Sequence, residues 1–591
     1  MTFCEEQARR HRHCRHHWGQ TAVTRPSLSQ ARLWRPDSLD EAAARWDRAA
    51  VDIHTNADVA VRGVTATRDF WRGSAAEAAR NRASALTGRV VALARAFIAA
   101  AAAARNGAAL LRARRDDVLT TVAAAESEGY TVADDGTVRT NDTAGTTAAA
   151  PSPAMLTRAG ELTVDVQSDL DRLALADEDT ARDIEAAFAV EAPAPTQLAG
   201  WPAGPEALIS RWPSTGQDEI AAQIAALSPQ QRRQLVEAAP AVVGNTDGVP
   251  WDLRVAANRL NIADAILAER ALLATPEDTK VAAEVDAMRV GVDPATWERV
   301  RAQLRRDPAA RARAVASYDD KVNDRIAFYQ GLLGEVADPT GRSSMPIPRQ
   351  IIAFDPDRSS LIELHGDLAT ATSVGVLIPG LNTTMPGSGA NVATARRFTR
   401  AGGGKVAMIT YLGGPFPTGE GAAGLRAAAS PRFAEQMAPR LVAFSEDVNR
   451  TVDATGRDIP VTYLGHSYGG SILGTAERDG LTADRVVYVE AAGAGVGVHS
   501  PADWHNRNPH VVRFTMTAPL DWIEAVQGVP LGPHGADPDT MPGVLRLPTG
   551  RRRNRWPMVG PSTHSDVINE PSDAWDRLYE VISAPGRRPR R

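Results

Sequence analysis

Cysteine is almost missing from this chain. Cys4 and Cys14 are its only two in 591 residues and both stand near the start, so no disulfide can staple the body of the protein. Lysine is scarce as well, confined to Lys280, Lys321 and Lys405, which leaves positive charge to arginine within a net charge of −5. With no broad positive field and no Gly-rich phosphate loop, nucleic acid is not an expected partner. Long apolar runs are also lacking. The Ala-rich stretch at 96–104 is bracketed by Arg95 and Arg105 and falls far short of the ~20 residues that span a bilayer, so no transmembrane segment is predicted. The opening Met1-Thr2-Phe3-Cys4-Glu5-Glu6 has no apolar core, which argues against a cleaved signal peptide.

What the chain has is length and apolar content. Its 43% hydrophobic residues can fold, and 591 residues are too many for one core. Residues 1–27 read as a disordered polar tail. His11, His13, His16 and His17 lie there beside the two cysteines at spacings that match no zinc module, so no metal is assigned. A helical region is predicted over 28–139: two long Ala-rich helices, interrupted at Phe70-Trp71-Arg72-Gly73, with Ser38 placed to cap the first and the second ending near residue 126. A Pro- and Thr-rich linker then opens a helical scaffold over 140–345. Within it, Leu227-Ser228-Pro229 reads as a helix start with Pro just inside the cap, and Gly244-Asn245-Thr246-Asp247-Gly248-Val249-Pro250 as a turn into a helix carrying Arg254, Asn258 and Arg259. The polar groups of that turn are expected to satisfy the turn itself. A basic tail is read at 586–591.

From residue 346 the periodicity switches to strands. Runs at 350–354 and 360–364, joined by Asp355-Pro356-Asp357, predict an antiparallel hairpin. Continuous apolar runs then alternate with helices, which a doubly covered parallel sheet requires. The fold class expected over 346–585 is α/β, a doubly wound, mainly parallel eight-stranded sheet, preceded by a large all-α region of long helices.

Gly465-His466-Ser467-Tyr468-Gly469 sits between the strand at 461–464 and a small-residue stretch that can start a helix. A strand that turns this sharply needs Gly at crowded positions and lifts the serine hydroxyl clear of the sheet. With 47 glycines such a string is easy to meet by accident, so its context matters. An acid follows a later strand and a histidine follows the last, the chain order Ser, Asp, His that an α/β-hydrolase sheet imposes. A serine hydroxyl needs a base within reach and donors for the oxyanion. Of the later histidines, His499, His505, His510, His534 and His564, only His564 falls beyond the last strand. Asp521, just past the strand ending near Thr517, is the first choice of acid; Glu490 and Asp537 are rivals. The oxyanion donors expected are the N–H of Tyr468 and that of Leu381 or Asn382.

Three resemblances extend this reading. Trp71-x-Gly73 resembles the turn of WXG-type helical proteins, and Tyr130-x-x-x-Asp134 resembles the signal that such substrates carry for type VII secretion. The Gly-Asn-x-Asp-Gly-x-Pro turn, the strand and turn at 376–382, the elbow, Ala518-Pro519-Leu520-Asp521, His534-Gly535-Ala536-Asp537-Pro538 and His564-Ser565-Asp566 together resemble a family of actinobacterial α/β-hydrolases. That resemblance implies a triad of Ser467, Asp521 and His564, a serine esterase or lipase-like activity on small-molecule or lipid-like esters, and no cofactor. The chain departs from it at Glu490-Ala491-Ala492-Gly493, where such proteins carry a Ser-Pro-Gly turn. Two alternatives stay open: an acyltransferase with the same triad, and a non-catalytic scaffold linked to type VII secretion with a helical partner. The location expected is cytoplasmic, or exported without a cleaved signal. Arg551, Arg552, Arg553 and Arg555, ahead of His564, offer a place for an anionic head group, or simply a solvated loop.

Overall fold

The computed structural model describes residues 25–141, 151–189, 204–288, 293–521, 523, 527 and 532–586. The Cys- and His-bearing segment 1–24 and the basic residues 587–591 lie outside them. Contacts divide the chain into two units, 1–195 and 196–591.

The first unit is a helical hairpin with a third helix laid along it. Helix α1 (Asp37–Ala66) and helix α2 (Ser74–Ser127) are joined by a tight turn in which Trp71 is exposed and Gly73 has φ 105°. Few side chains other than alanine allow two helices to approach so closely. Ala43 of α1 meets Ala101 and Ala104 of α2, and both helices are tied by Arg112 to Asp37 (2.8 Å) and by Arg105 to Asp47. Helix α3 (Pro153–Phe188) presents Leu162, Val166, Leu170 and Leu173 to Val118 and Val122 of α2. It therefore belongs with the hairpin, and not with the scaffold region that was read as starting at residue 140. Residues 25–27, read as tail, are also ordered: Arg25 pairs with Asp171 at 2.6 Å and Ser27 caps a short helix, Leu28–Leu33. Ser38 does not cap α1; it lies inside the first turn and donates to the Arg35 carbonyl.

Tyr130 and Asp134 have local work to do. Tyr130 is buried on a short strand, Tyr130–Val132, paired with Val138–Thr140, and Asp134 accepts from the Ser29 N–H at 2.7 Å. The Ala-rich run at 96–104 proves to be part of the 54-residue α2, which by length and composition alone could cross a membrane. Here its apolar seam packs against α1 and α3.

The second unit is built on an eight-stranded sheet: β1 (Gln350–Asp355), β2 (Ser360–His365), β3 (Ser373–Ile378), β4 (Val406–Leu412), β5 (Val461–His466), β6 (Arg485–Val489), β7 (Val512–Met516) and β8 (Val544–Arg546). Their order across the sheet is 1-2-4-3-5-6-7-8. Pairs β1/β2 and β2/β4 are antiparallel and the rest are parallel. This is the α/β-hydrolase fold. Strands β3 and β4 are buried along their whole length, as strands covered on both faces must be. Helices α5 (Gly389–Ala401) and α8 (Asp573–Ser583) meet where Phe398 stacks on Trp575 at 4.7 Å. Helix α6 (Arg432–Asp453) packs on α7 (Tyr468–Arg478), the helix that follows the elbow.

Edge strand β1 would leave a row of backbone groups unpaired. Asn245 closes it: its side chain accepts from the Phe354 N–H and donates to the Phe354 carbonyl, both at 2.9 Å. Helix α4 (Trp251–Leu273) completes the seal, with Arg254 donating to the Ile352 carbonyl at 2.7 Å and Asn258 to that of Ile351 at 3.2 Å. Asp447 of α6 accepts from Arg254 at 2.9 Å, from Trp251 Nε1 at 2.8 Å and from the Gly248 N–H at 2.8 Å. The Gly-Asn-x-Asp-Gly-x-Pro segment thus does more than satisfy its own turn. It clamps the helical layer to the sheet, and the helices from 204 to 333 belong to the second unit.

Candidate active site

Each strand of the central sheet ends in a loop that must leave the sheet sharply, and the sharpest exits gather at one place. Six non-glycine residues have positive φ among the described residues, and four of them follow β3, β5, β6 and β7: Asn382 (64°), Ser467 (56°), Glu490 (45°) and Leu520 (64°). Such a conformation costs an ordinary residue on the order of 1 kcal/mol or more, so it persists only where surrounding contacts fix it.

At the elbow those contacts are backbone. The Ser467 N–H donates to the Val489 carbonyl and the Ser467 carbonyl accepts from Ala492, both at 3.0 Å. A Cβ on Gly465 would lie 2.6 Å from the Gly469 carbonyl oxygen, one on Gly469 2.2 Å from that of Ile378, and one on Gly470 2.3 Å from the Ala491 side chain. Gly470, just past the motif, is thus as crowded as the two glycines within it. Gly380 passes so near the nucleophile candidate that a Cβ there would stand 2.6 Å from the Ser467 Cβ. The loop after β3 and the Ser467 side chain therefore share one small space.

Asp521 and His564 are brought together from opposite ends of the segment after β7. The Asp521 side chain is fully buried; its Oδ1 accepts from the Ile523 N–H at 2.9 Å and faces His564 Nδ1 at 3.3 Å. The two loops are tied by the Gly560 N–H donating to the Pro519 carbonyl at 2.9 Å. His564 in turn lies against the elbow. His466 Nε2 is 2.8 Å from the His564 carbonyl, which can only accept, so that nitrogen carries the proton. The two rings are 5.2 Å apart. Desolvation first, and then the nearby His564, push the His466 imidazole down to about 4, which keeps it neutral and able to make this bond. Nothing in the sequence marked His466 beyond its place inside the motif, because its partner is a main-chain carbonyl 98 positions away.

The other candidates go elsewhere. His499, His505 and His510 are exposed, and His505 bonds to the Arg478 carbonyl. His534 is buried beneath α7, with Nδ1 2.9 Å from Ser471 Oγ and Nε2 2.7 Å from the Ala428 carbonyl. Desolvation lowers its pKa. Asp537 caps the turn Pro538–Thr540. Glu490 is fully buried at the end of β6, and it comes within 4.8 Å of both Asp521 and His564, counted between carboxylate oxygens and ring nitrogens. These three form a set of metal-capable groups, but the face of the ring toward Asp521 is already engaged by that carboxylate. Of the four arginines ahead of His564, Arg552 pairs with Asp566 and Arg553 with Asp576, so half of that cluster is neutralised.

Two backbone donors lie next to the elbow and the Gly380 turn. Tyr468 opens α7, where a first-turn N–H has no partner within the helix. The Asn382 N–H is taken by the Pro417 carbonyl at 2.8 Å, whereas the Leu381 N–H has no hydrogen-bond partner among the described residues. Asn382 also exchanges two side-chain bonds with Gly419, at 2.8 and 3.1 Å. Tyr468 holds the same stretch further along, its hydroxyl donating to the Ser430 carbonyl. The segment 413–431 is thereby fastened along the border of the site.

Comparison with protein families matches residues 355–531 to an alpha/beta hydrolase family. The match runs from the end of β1 through Ser467 and Asp521 and stops short of His564. No curated protein matches the chain. Among solved structures, TT1662 from Thermus thermophilus aligns over 40% of this chain and 99% of its own, at 12% identity and a TM-score of 0.22.

Proposed function

We propose that the second unit is a serine hydrolase that cleaves carboxylic esters through an acyl-enzyme, with Ser467 as nucleophile, His564 as base and Asp521 as the acid that orients it. The observation that carries this reading is the Asp521–His564 contact at 3.3 Å, with the His564 carbonyl bonded to His466, the residue beside Ser467. With Nδ1 turned to Asp521, the other ring nitrogen is the one left to take the serine proton. Attack of Ser467 Oγ on the ester carbonyl gives a tetrahedral oxyanion, which the N–H groups of Tyr468 and Leu381 would receive. Collapse expels the alcohol with the proton from His564. Water, deprotonated by the same imidazole, then releases the acid and restores the serine.

The test is turnover of nitrophenyl esters of increasing acyl length by the full chain and by Ser467→Ala. The parent should release nitrophenol in a burst and then a steady phase; the variant should show neither. A chain-length optimum above about eight carbons would assign lipid-like substrates. Equal rates for parent and variant would end the proposal.

For the first unit, the reading as a hairpin that meets a helical secretion partner draws support from its turn, where Phe70 and Trp71 are exposed next to Gly73. Tyr130 and Asp134 support it less, since both are engaged within their own unit. Export that survives substitution of Trp71 would remove that reading.

A further inference from the structure

Glu490 is more than an unused rival. A carboxylate with no exposure, at the strand end next to the one that delivers Asp521, is costly to keep unless something there needs it. Its backbone is held at φ 45°, a conformation that a glycine would adopt freely. Its Oε1 accepts from the Ala518 N–H at 2.8 Å, which ties the loop that carries Asp521 to the end of β6. One of its oxygens also lies within 4.8 Å of His564 and of Asp521. The Asp521–His564 contact itself is long, at 3.3 Å, and Asp521 Oδ2 has no hydrogen-bond partner among the described residues.

We infer that His564 has two carboxylate partners, supplied by the ends of β6 and β7: Asp521 holds the ring N–H at rest, and Glu490 accepts it when Asp521 cannot. This rests on the serine-hydrolase reading above. Glu490 is then a positioning residue acting through His564, and the acid function is shared between two strands.

The experiment is a double-mutant cycle on the full chain, with Asp521→Asn, Glu490→Gln and the pair, read as kcat on a nitrophenyl ester and as the rate of fluorophosphonate labelling. Loss of a sole acid typically costs a triad about 10⁴-fold. Here Asp521→Asn should cost about 10- to 100-fold, Glu490→Gln a few-fold, and the pair about 10⁴-fold, because the second substitution removes the only remaining acceptor. A residue that merely anchors Ala518 would cost the same factor in both backgrounds. That outcome, or a 10⁴-fold loss from Asp521→Asn alone, overturns the inference. If Glu490→Gln does not fold, Glu490→Asp keeps the charge on a shorter arm, and it too should lower kcat more in the Asp521→Asn background than in the parent. A parent protein that is not labelled at Ser467 would instead sink the hydrolase reading, and this inference with it.

Discussion

The two units bury apolar surface in opposite ways. The first packs regular helices through alanines and ties them with ion pairs such as Arg105–Asp47, and none of its described non-glycine residues has positive φ. The second carries all six, four of them at adjoining strand ends. Regular helices can be stabilised locally, whereas an elbow is held only by a sheet already in place. Backbone strain in this protein is concentrated where chemistry is proposed.

That contrast can be broken at several points. The largest effect should come from His564→Ala, which under the proposed mechanism lowers kcat by about 10⁴-fold or more while KM and the helical circular dichroism signal hold. A smaller loss would place the base elsewhere. Next is Asp447→Ala, which takes one of two carboxylates from the buried Arg254, leaving it Asp247 at 3.0 Å, and removes the acceptor of the Trp251 Nε1–H and the Gly248 N–H. With two buried donors left unsatisfied, it should cost the second unit about 2–5 kcal/mol in a urea melt and leave the first unit unchanged. If both units lose stability together, they do not melt independently.

A third effect depends on pH. His365, buried against Thr410, has its pKa pushed down from 6.5 to about 4, chiefly by desolvation. Between those values the unfolded chain binds a proton that the folded imidazole refuses. Stability contributed above pH 6.5 is therefore lost as the pH falls toward 4, at roughly 1.4 kcal/mol per pH unit at most. Urea melts of His365→Gln should show a shallower pH slope than the parent over that window; an equal slope would mean that the histidine is not the source. Smaller still is Gly107→Ala in the first unit, whose new Cβ would meet Thr180 Cγ2 at 2.1 Å. Overpacking of about 1–3 kcal/mol there should outweigh the gain in helix propensity, so the melting temperature falls. The smallest expected effect is that of Arg552→Ala with Arg553→Ala: since both are paired with aspartates, the ratio of activities on charged and neutral esters should change less than about twofold.

Periodicity was enough to find the sheet. Apolar runs and their turns gave eight strands, with the hairpin of β1 and β2 antiparallel, and the elbow fell between a strand and a helix. Sequence was weaker wherever a group's partner lies far along the chain. Asn245 reads as a turn residue and Arg254 as part of the helix after it, with no sign of the strand they seal, because that strand begins about a hundred positions later. The division at 195 was missed because α3 shows an apolar face without showing what covers it. At the site, the loops carrying Ser467, Asp521 and His564 could be named from chain order. The contact of His466 with the His564 backbone, and the nearness of Glu490 to both Asp521 and His564, could not, since each is set by how neighbouring strand ends meet.

The most direct measurement is to label the full chain with a fluorophosphonate and map the modified peptide by mass. The account predicts a single adduct on the peptide carrying Ser467, lost in Ser467→Ala and slowed strongly in His564→Ala. An adduct on another residue, or undiminished labelling of the Ser467→Ala protein, would contradict it.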